Sequence, residues 1–125
     1  MDGQSFAHLL RGTPVAWGGW RDKHMIEYWS LGNLQRFEHF VDLPNNTYIG
    51  ARLLNATHNY LYVEYYPNES EVLFDDPLEC ELFNVDADPY QFANLYGTGQ
   101  HGLLIQELHD FIHKQVTCKG QTDCR

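Results

Sequence analysis

The chain is predicted to be an α+β domain of about four antiparallel strands packed against one long C-terminal helix. Three observations carry that expectation. Residues 48–54 and 60–66 alternate in polarity and flank a turn-rich connector, Asn55-Ala56-Thr57-His58-Asn59, as the two arms of a hairpin do. Residues 81–85 form a short apolar and aromatic run that Asp86-Ala87-Asp88-Pro89 stops, because Asp side chains fold onto nearby amides and Pro89 has no N–H for a ladder. Residues 101–116 place Leu104, Ile105, Leu108, Phe111, Ile112 and Val116 on one helical stripe. That stripe needs a covering partner, and the apolar face of the sheet is the candidate.

In chain order, residues 5–10 read as a short helical or turn-like piece closed by Gly12 and Pro14. A glycine-broken aromatic loop, VAWGGW, follows. Residues 23–30 alternate as a strand, with His24, Ile26 and Tyr28 on one side and Met25, Glu27 and Trp29 on the other. Residues 31–44 show no period and read as loop with a short helix at most. In the hairpin, Ile49, Ala51 and Leu53 share one face, Leu61, Val63 and Tyr65 share another, and the expectation is a buried face of aliphatic residues. Residues 67–77 read as loop, and residues 79–85 as the last strand. The segment 81–95 therefore joins the sheet to the helix that covers it.

The totals set bounds. A chain of 125 residues, 43% hydrophobic, is one domain able to bury a core. The net charge of −9 argues against nucleic acid as a partner. The first 36 residues carry four basic and three acidic side chains and the remainder four and fourteen, so a polyanion is best tolerated near the first third. No apolar run is long enough to span a membrane, and MDGQSFAHLL lacks the basic start and apolar stretch of a signal peptide. Yet Asn45, Asn55 and Asn68 each begin a glycosylation sequon, three within 26 residues, which favours a secreted or lysosomal chain. A secretory chain without a secretory start is expected to be part of a longer protein.

Cys118 and Cys124 enclose KGQTD. In an oxidising compartment they would close a small disulfide loop contributing about 2 kcal/mol, and the alternative is a zinc pair, for which five intervening residues are a poor spacing. Cys80 is left over, either as a buried thiol or as the partner of a cysteine elsewhere. The serines lack the setting of a catalytic nucleophile, and the glycine runs lack phosphate-loop spacing. His109 and His113 lie four apart with metal-ligand spacing, but they sit beside the apolar stripe without a third ligand, and the expectation is a solvated helix face. Asp75, Asp76, Asp86 and Asp88 are oxygen ligands suited to calcium, with turn capping expected instead. Trp17, Trp20, Arg21, Lys23 and His24 form the cluster best suited to a sugar: aromatic faces stack on rings and cations hold sulfate or carboxylate. The competing reading closes the core edge with the two tryptophans and leaves the charges in water.

Several motifs, in order, resemble the sulfatase family, and most closely its glucosamine-6-sulfatase-like branch. Asp2-Gly3-Gln4-Ser5-Phe6 with Leu9-Leu10-Arg11-Gly12 resembles the family's D-G-x-S…L-L-x-G segment. Trp20-Arg21 followed by Ile26-Glu27-Tyr28 resembles its W-R…E-Y strand, and Asn46-Thr47-Tyr48 with Arg52 the strand before its hairpin. Glu81 to Pro89 with Asn94-Leu95 resembles its E-L-Y/F…D-P-x-E-x-x-N-L signature, and Cys118 to Cys124 its terminal cysteine loop. Gln91 stands where the family commonly has Glu.

The resemblance implies a C-terminal subdomain of an enzyme that hydrolyses sulfate esters, with the 6-sulfate of N-acetylglucosamine in glycosaminoglycans as substrate. The family's nucleophile, a formylglycine made within C/S-x-P-x-R, and the calcium that neutralises charge on the sulfate are implied for an N-terminal catalytic domain. None of Cys80, Cys118 and Cys124 is followed by that pattern, so this chain is expected to hold no catalytic residue and no cofactor of its own, and to be inactive alone. Trp20, Arg21 and His24 are the expected cleft-rim contacts to a sulfated glycan. A stand-alone carbohydrate-binding module is the second reading, and a zinc-binding adaptor the third.

Overall fold

A computed structural model describes residues 6–12, 21–30, 46–67, 76–120 and 123–124. Within them the order is α1 (Ala7–Leu10), β1 (Lys23–Tyr28), β2 (Thr47–Leu54), β3 (Asn59–Tyr66), β4 (Glu79–Asn84) and α2 (Gly102–Thr117). The four strands form one antiparallel sheet in the order β1-β2-β3-β4, and α2 lies across one face, as the sequence predicts. The loop expected over residues 31–44 lies outside the described residues.

The hairpin forms because Asn55 organises its turn. Its Oδ1 accepts from the backbone amides of Thr57 and His58 and from the Thr57 hydroxyl, and its Nδ2 donates to Asp22. This Asx-type turn leaves Leu54 opposite Asn59 and fixes the register of everything beyond it. Ile49 then faces Glu64, Ala51 faces Tyr62, and Thr47 faces Tyr66.

That register corrects one expectation. Ile49, Ala51 and Leu53 do line the helix side and are fully or nearly fully buried. The β3 residues on that side include Tyr62, Glu64 and Tyr66, all buried, whereas Leu61, Val63 and Tyr65 point to the opposite face. Tyrosine supplies the apolar ring that a core needs and carries a hydroxyl that must find an acceptor. Glu64 is that acceptor, so the polar and aromatic face of β3 is the one that can be buried. The core is completed by Cys80 and Leu82 of β4 and by Leu108 and Ile112 of α2, with Leu104, Ile105, Phe111 and Val116 packed around them.

The turn after β4 also differs in detail. Asn84 makes the Asx turn, its Oδ1 accepting the amides of Asp86 and Ala87. Asp86 accepts from the Asn59 side chain, and Asp88 accepts the Ala93 amide, which holds the exposed Asp88 carboxyl below the usual carboxylate range. Gln91, at the tip, has φ 57°, a conformation that costs a side-chain-bearing residue about 1 kcal/mol or more. Asn94 then closes the outer edge of β4. Its side chain accepts from the Leu82 amide and donates to the Cys80 carbonyl, and the Leu95 amide donates to the Leu82 carbonyl. The chain thereby blunts an edge strand that would otherwise offer unpaired groups.

Cys118 and Cys124 are joined by a disulfide, and Cys80 is a free, buried thiol. The small loop caps the end of α2, where the Gln115 side chain donates to the Cys124 carbonyl.

Gly50 marks the tightest point of the sheet. A Cβ there would lie 2.6 Å from the Tyr62 carbonyl oxygen, a backbone atom that cannot move without opening the β2–β3 ladder. Gly50→Ala is expected to lower unfolding free energy by about 2 kcal/mol, the scale of overpacking in a closed core, in a urea titration followed by circular dichroism. An unchanged midpoint would show that the ladder yields there.

Candidate functional site: a buried carboxylate between sheet and helix

Two residues placed by strand alternation and two placed by the helical repeat converge on Glu64. Glu64 is completely buried in the middle of β3. Its Oε1 accepts the Tyr62 hydroxyl at 2.6 Å and lies 2.7 Å from His109 Nδ1. Its Oε2 accepts the Tyr66 hydroxyl at 2.5 Å and lies 3.0 Å from His113 Nε2. The side chains of Tyr62, Glu64 and Tyr66 share a face because strand residues two apart do, and His109 and His113 share one because helix residues four apart do. The two imidazoles lie against one another, tilted by 38° with centroids 4.3 Å apart.

This overturns the solvated helix face expected for the two histidines. Their side chains are only 22% and 23% exposed and aim at the sheet. The third group that the sequence search lacked is Glu64, 45 residues upstream of His109. Its alternation with Tyr62 and Tyr66 was the available signal, since a buried strand face that carries a carboxylate flanked by hydroxyl donors is a polar network and not a solvent edge.

Burial alone pushes a carboxyl up. Here hydrogen bonds from Tyr62, Tyr66, His109 and His113 outweigh it, and Glu64 lies below its ordinary value. Tyr62 is pushed up, by burial first and then by its bond to the Glu64 carboxylate. Cys80, opposite Glu64 on β4, is pushed up by burial, and Tyr96, hydrogen-bonded to it, is raised by that thiol. The site is therefore an anionic centre held by four donors, with the Cys80 thiol kept neutral beside it. It lacks the chemistry of a nucleophile, because a raised thiol pKa works against the thiolate.

Calcium, implied for the full family enzyme, does not fit what is assembled here. Among the described residues, Glu64, His109 and His113 are the one group of acidic, cysteine and histidine side chains that comes within metal-ligating range, and it offers two nitrogens where calcium takes oxygens. Asp86 and Asp88 are used as turn ties. Of the expected rim residues, Trp20 lies outside the described residues, Arg21 is partly buried just before β1, and His24 is exposed on β1 opposite Arg52. His24 therefore projects from the sheet face away from α2, and the structure does not join it to the Glu64 cluster. Of the three sequons, Asn55 is partly buried in its turn, and Asn45 and Asn68 lie outside the described residues.

Glu64→Ala should cost roughly 3–5 kcal/mol of unfolding free energy at neutral pH, because it strands two hydroxyls and two imidazoles; Glu64→Gln should cost roughly 1–3 kcal/mol. A folded-state value below the unfolded one, about 4.3, means that the contribution of Glu64 is complete above that pH and is lost as pH falls through the lower folded value. The difference between wild type and Glu64→Gln in urea melts should accordingly shrink on acidification. A difference that grows toward low pH would reverse the assignment.

No family model matches the chain. Three curated proteins do, across the whole of it. The N-acetylglucosamine-6-sulfatase of Homo sapiens is 31% identical over 141 aligned positions that cover 100% of this chain and 23% of that protein. The N-acetylglucosamine-6-sulfatases of Capra hircus and Bos taurus are each 30% identical, with the same coverage. The chain spans less than a quarter of the length of these relatives. From end to end it bears the sulfatase-family resemblance that its motifs carry, as a segment similar to the C-terminal piece of an N-acetylglucosamine-6-sulfatase.

Proposed function

We propose that this chain is the C-terminal part of a sulfate-ester hydrolase of the secretory pathway, acting on the 6-sulfate of N-acetylglucosamine in glycosaminoglycans. The observation that carries the proposal is likeness over the whole chain to three N-acetylglucosamine-6-sulfatases, with no stretch of the chain left outside the match. In this reading the N-terminal catalytic domain supplies the formylglycine nucleophile and the calcium. The present segment supplies structure and one rim of the cleft.

The described face of the sheet away from α2 suits such a role. Tyr28, Tyr48 and Tyr65 line up in one rung across three strands, with ring centroids 5.5 and 5.8 Å apart. His24 and Arg52 pair on the same face, beyond the intervening rung of Ile26, Gly50 and Val63. Tyrosine rings stack on sugars and cations pair with sulfate, so Arg21 and His24, with Trp20 next to them in sequence, are the proposed glycan contacts. The sequons at Asn45, Asn55 and Asn68 are the proposed glycan attachment points of a secreted or lysosomal protein.

The pure 125-residue chain is expected to release no sulfate from N-acetylglucosamine-6-sulfate or an aryl sulfate. Joined to the N-terminal portion of a relative, it is expected to restore turnover. In that hybrid, Arg21→Ala or His24→Ala should lower kcat/KM roughly tenfold without lowering the melting temperature, the scale of one charge-assisted hydrogen bond. Sulfate release by the isolated chain would refute the division of labour. A folded hybrid that is inactive, with the isolated chain binding glycan saturably, would move the carbohydrate-binding module to first place.

A further inference from the structure

We infer that Glu64, His109 and His113 form a binding site for a divalent ion of the zinc type. The inference rests on the cluster's geometry and is independent of the proposed sulfatase role.

Three features point to a metal. The first is the donor set. One carboxylate oxygen and two imidazole nitrogens lie within 4.8 Å of one another, so each can reach about 2 Å from a common centre after small side-chain adjustments. Two histidines and one glutamate leave a fourth position open, and the side chains of His109 and His113 are each about a fifth exposed, so water can take it. A nitrogen-rich set of this kind suits zinc and disfavours calcium or magnesium.

The second is the support behind the ligands. Tyr62 and Tyr66 donate one hydroxyl to each oxygen of Glu64 from within the strand that carries it. Ligating carboxylates are held in this way by outer donors, and the two tyrosines remain in place when an ion binds. The third is rigidity. His109 and His113 are one turn apart on a 16-residue helix, and Leu108 and Ile112 fix that helix to the sheet with no exposure. The ligands are therefore set before the ion arrives, which reduces the ordering cost of binding.

In the metal-free protein the same nitrogens face the carboxylate as hydrogen-bond partners. On binding, the proton of each neutral ring moves to its other nitrogen, and the inward nitrogen donates its lone pair to the ion. A charged ring must first give its proton to solvent, so binding weakens as the solution is acidified. The chain's net charge of −9 favours the approach of a cation.

Zinc chloride titrated into the full chain against a chromophoric chelator is expected to give one site per chain and to raise the melting temperature. His113→Gln and His109→Gln, which change partly exposed side chains and should fold, are expected to weaken that site at least tenfold. Tyr66→Phe is expected to weaken it less, and His58→Gln, in the distant turn, to leave it unchanged. X-ray absorption at the zinc edge should show imidazole scattering from two rings. Absence of stoichiometric zinc binding, or unchanged binding in the His109→Gln/His113→Gln double variant, would overturn the inference. The second result would assign the ion to other histidines or to Cys80.

Discussion

A carboxylate with no exposure sits between a sheet and the helix that covers it, and the rest of the fold is arranged to make that position tolerable. Removing the charge of Glu64 from water costs several kcal/mol unless its oxygens are filled. They are filled by two tyrosines of its own strand and two histidines of the facing helix. Each of those donors is in place for a separate reason: strand alternation for Tyr62 and Tyr66, helical repeat for His109 and His113. The network therefore holds only when α2 docks in one register against β3. An apolar interface alone would let a helix slide by a turn with little penalty; the polar centre makes such a slip leave a buried charge with half its donors.

Much of this was legible in the sequence, and the failures have a common cause. The four strands and α2 were found because apolar period and turn residues report directly on local geometry. The buried face of β3 is not legible in the sequence because tyrosine counts as both apolar and polar, so alternation between Leu61-Val63-Tyr65 and Tyr62-Glu64-Tyr66 cannot be resolved without the register. The register depends on Asn55, whose side chain closes the turn and ties it to Asp22. The same ambiguity hid the cluster. His109 and His113 border the apolar stripe, and whether a border residue faces water or a sheet depends on what stands opposite. A glutamate inside a strand is ordinarily an exposed residue, and only the pairing of Ile49 with Glu64 shows that it points inward.

The family motifs acquire physical roles in this fold. Asn94 of the last signature closes the edge of β4, and Leu95 packs on the core. Asp88 caps the preceding turn through the Ala93 amide. Gln91, which stands where the family commonly has Glu, occupies the strained tip between Tyr90 and Phe92, both highly exposed. The signature is thus largely a device for ending a sheet and launching α2.

The central claim is that hydrogen bonding defeats desolvation at Glu64. Carbon-detected NMR of the Glu64 side-chain carboxyl, followed from neutral pH into acid on the folded chain, tests it directly. The account predicts that the carboxyl stays ionised below its ordinary range and protonates only as the α2 amide signals lose their native positions. A carboxyl that protonates at or above its ordinary value, with those amide signals intact, would contradict it.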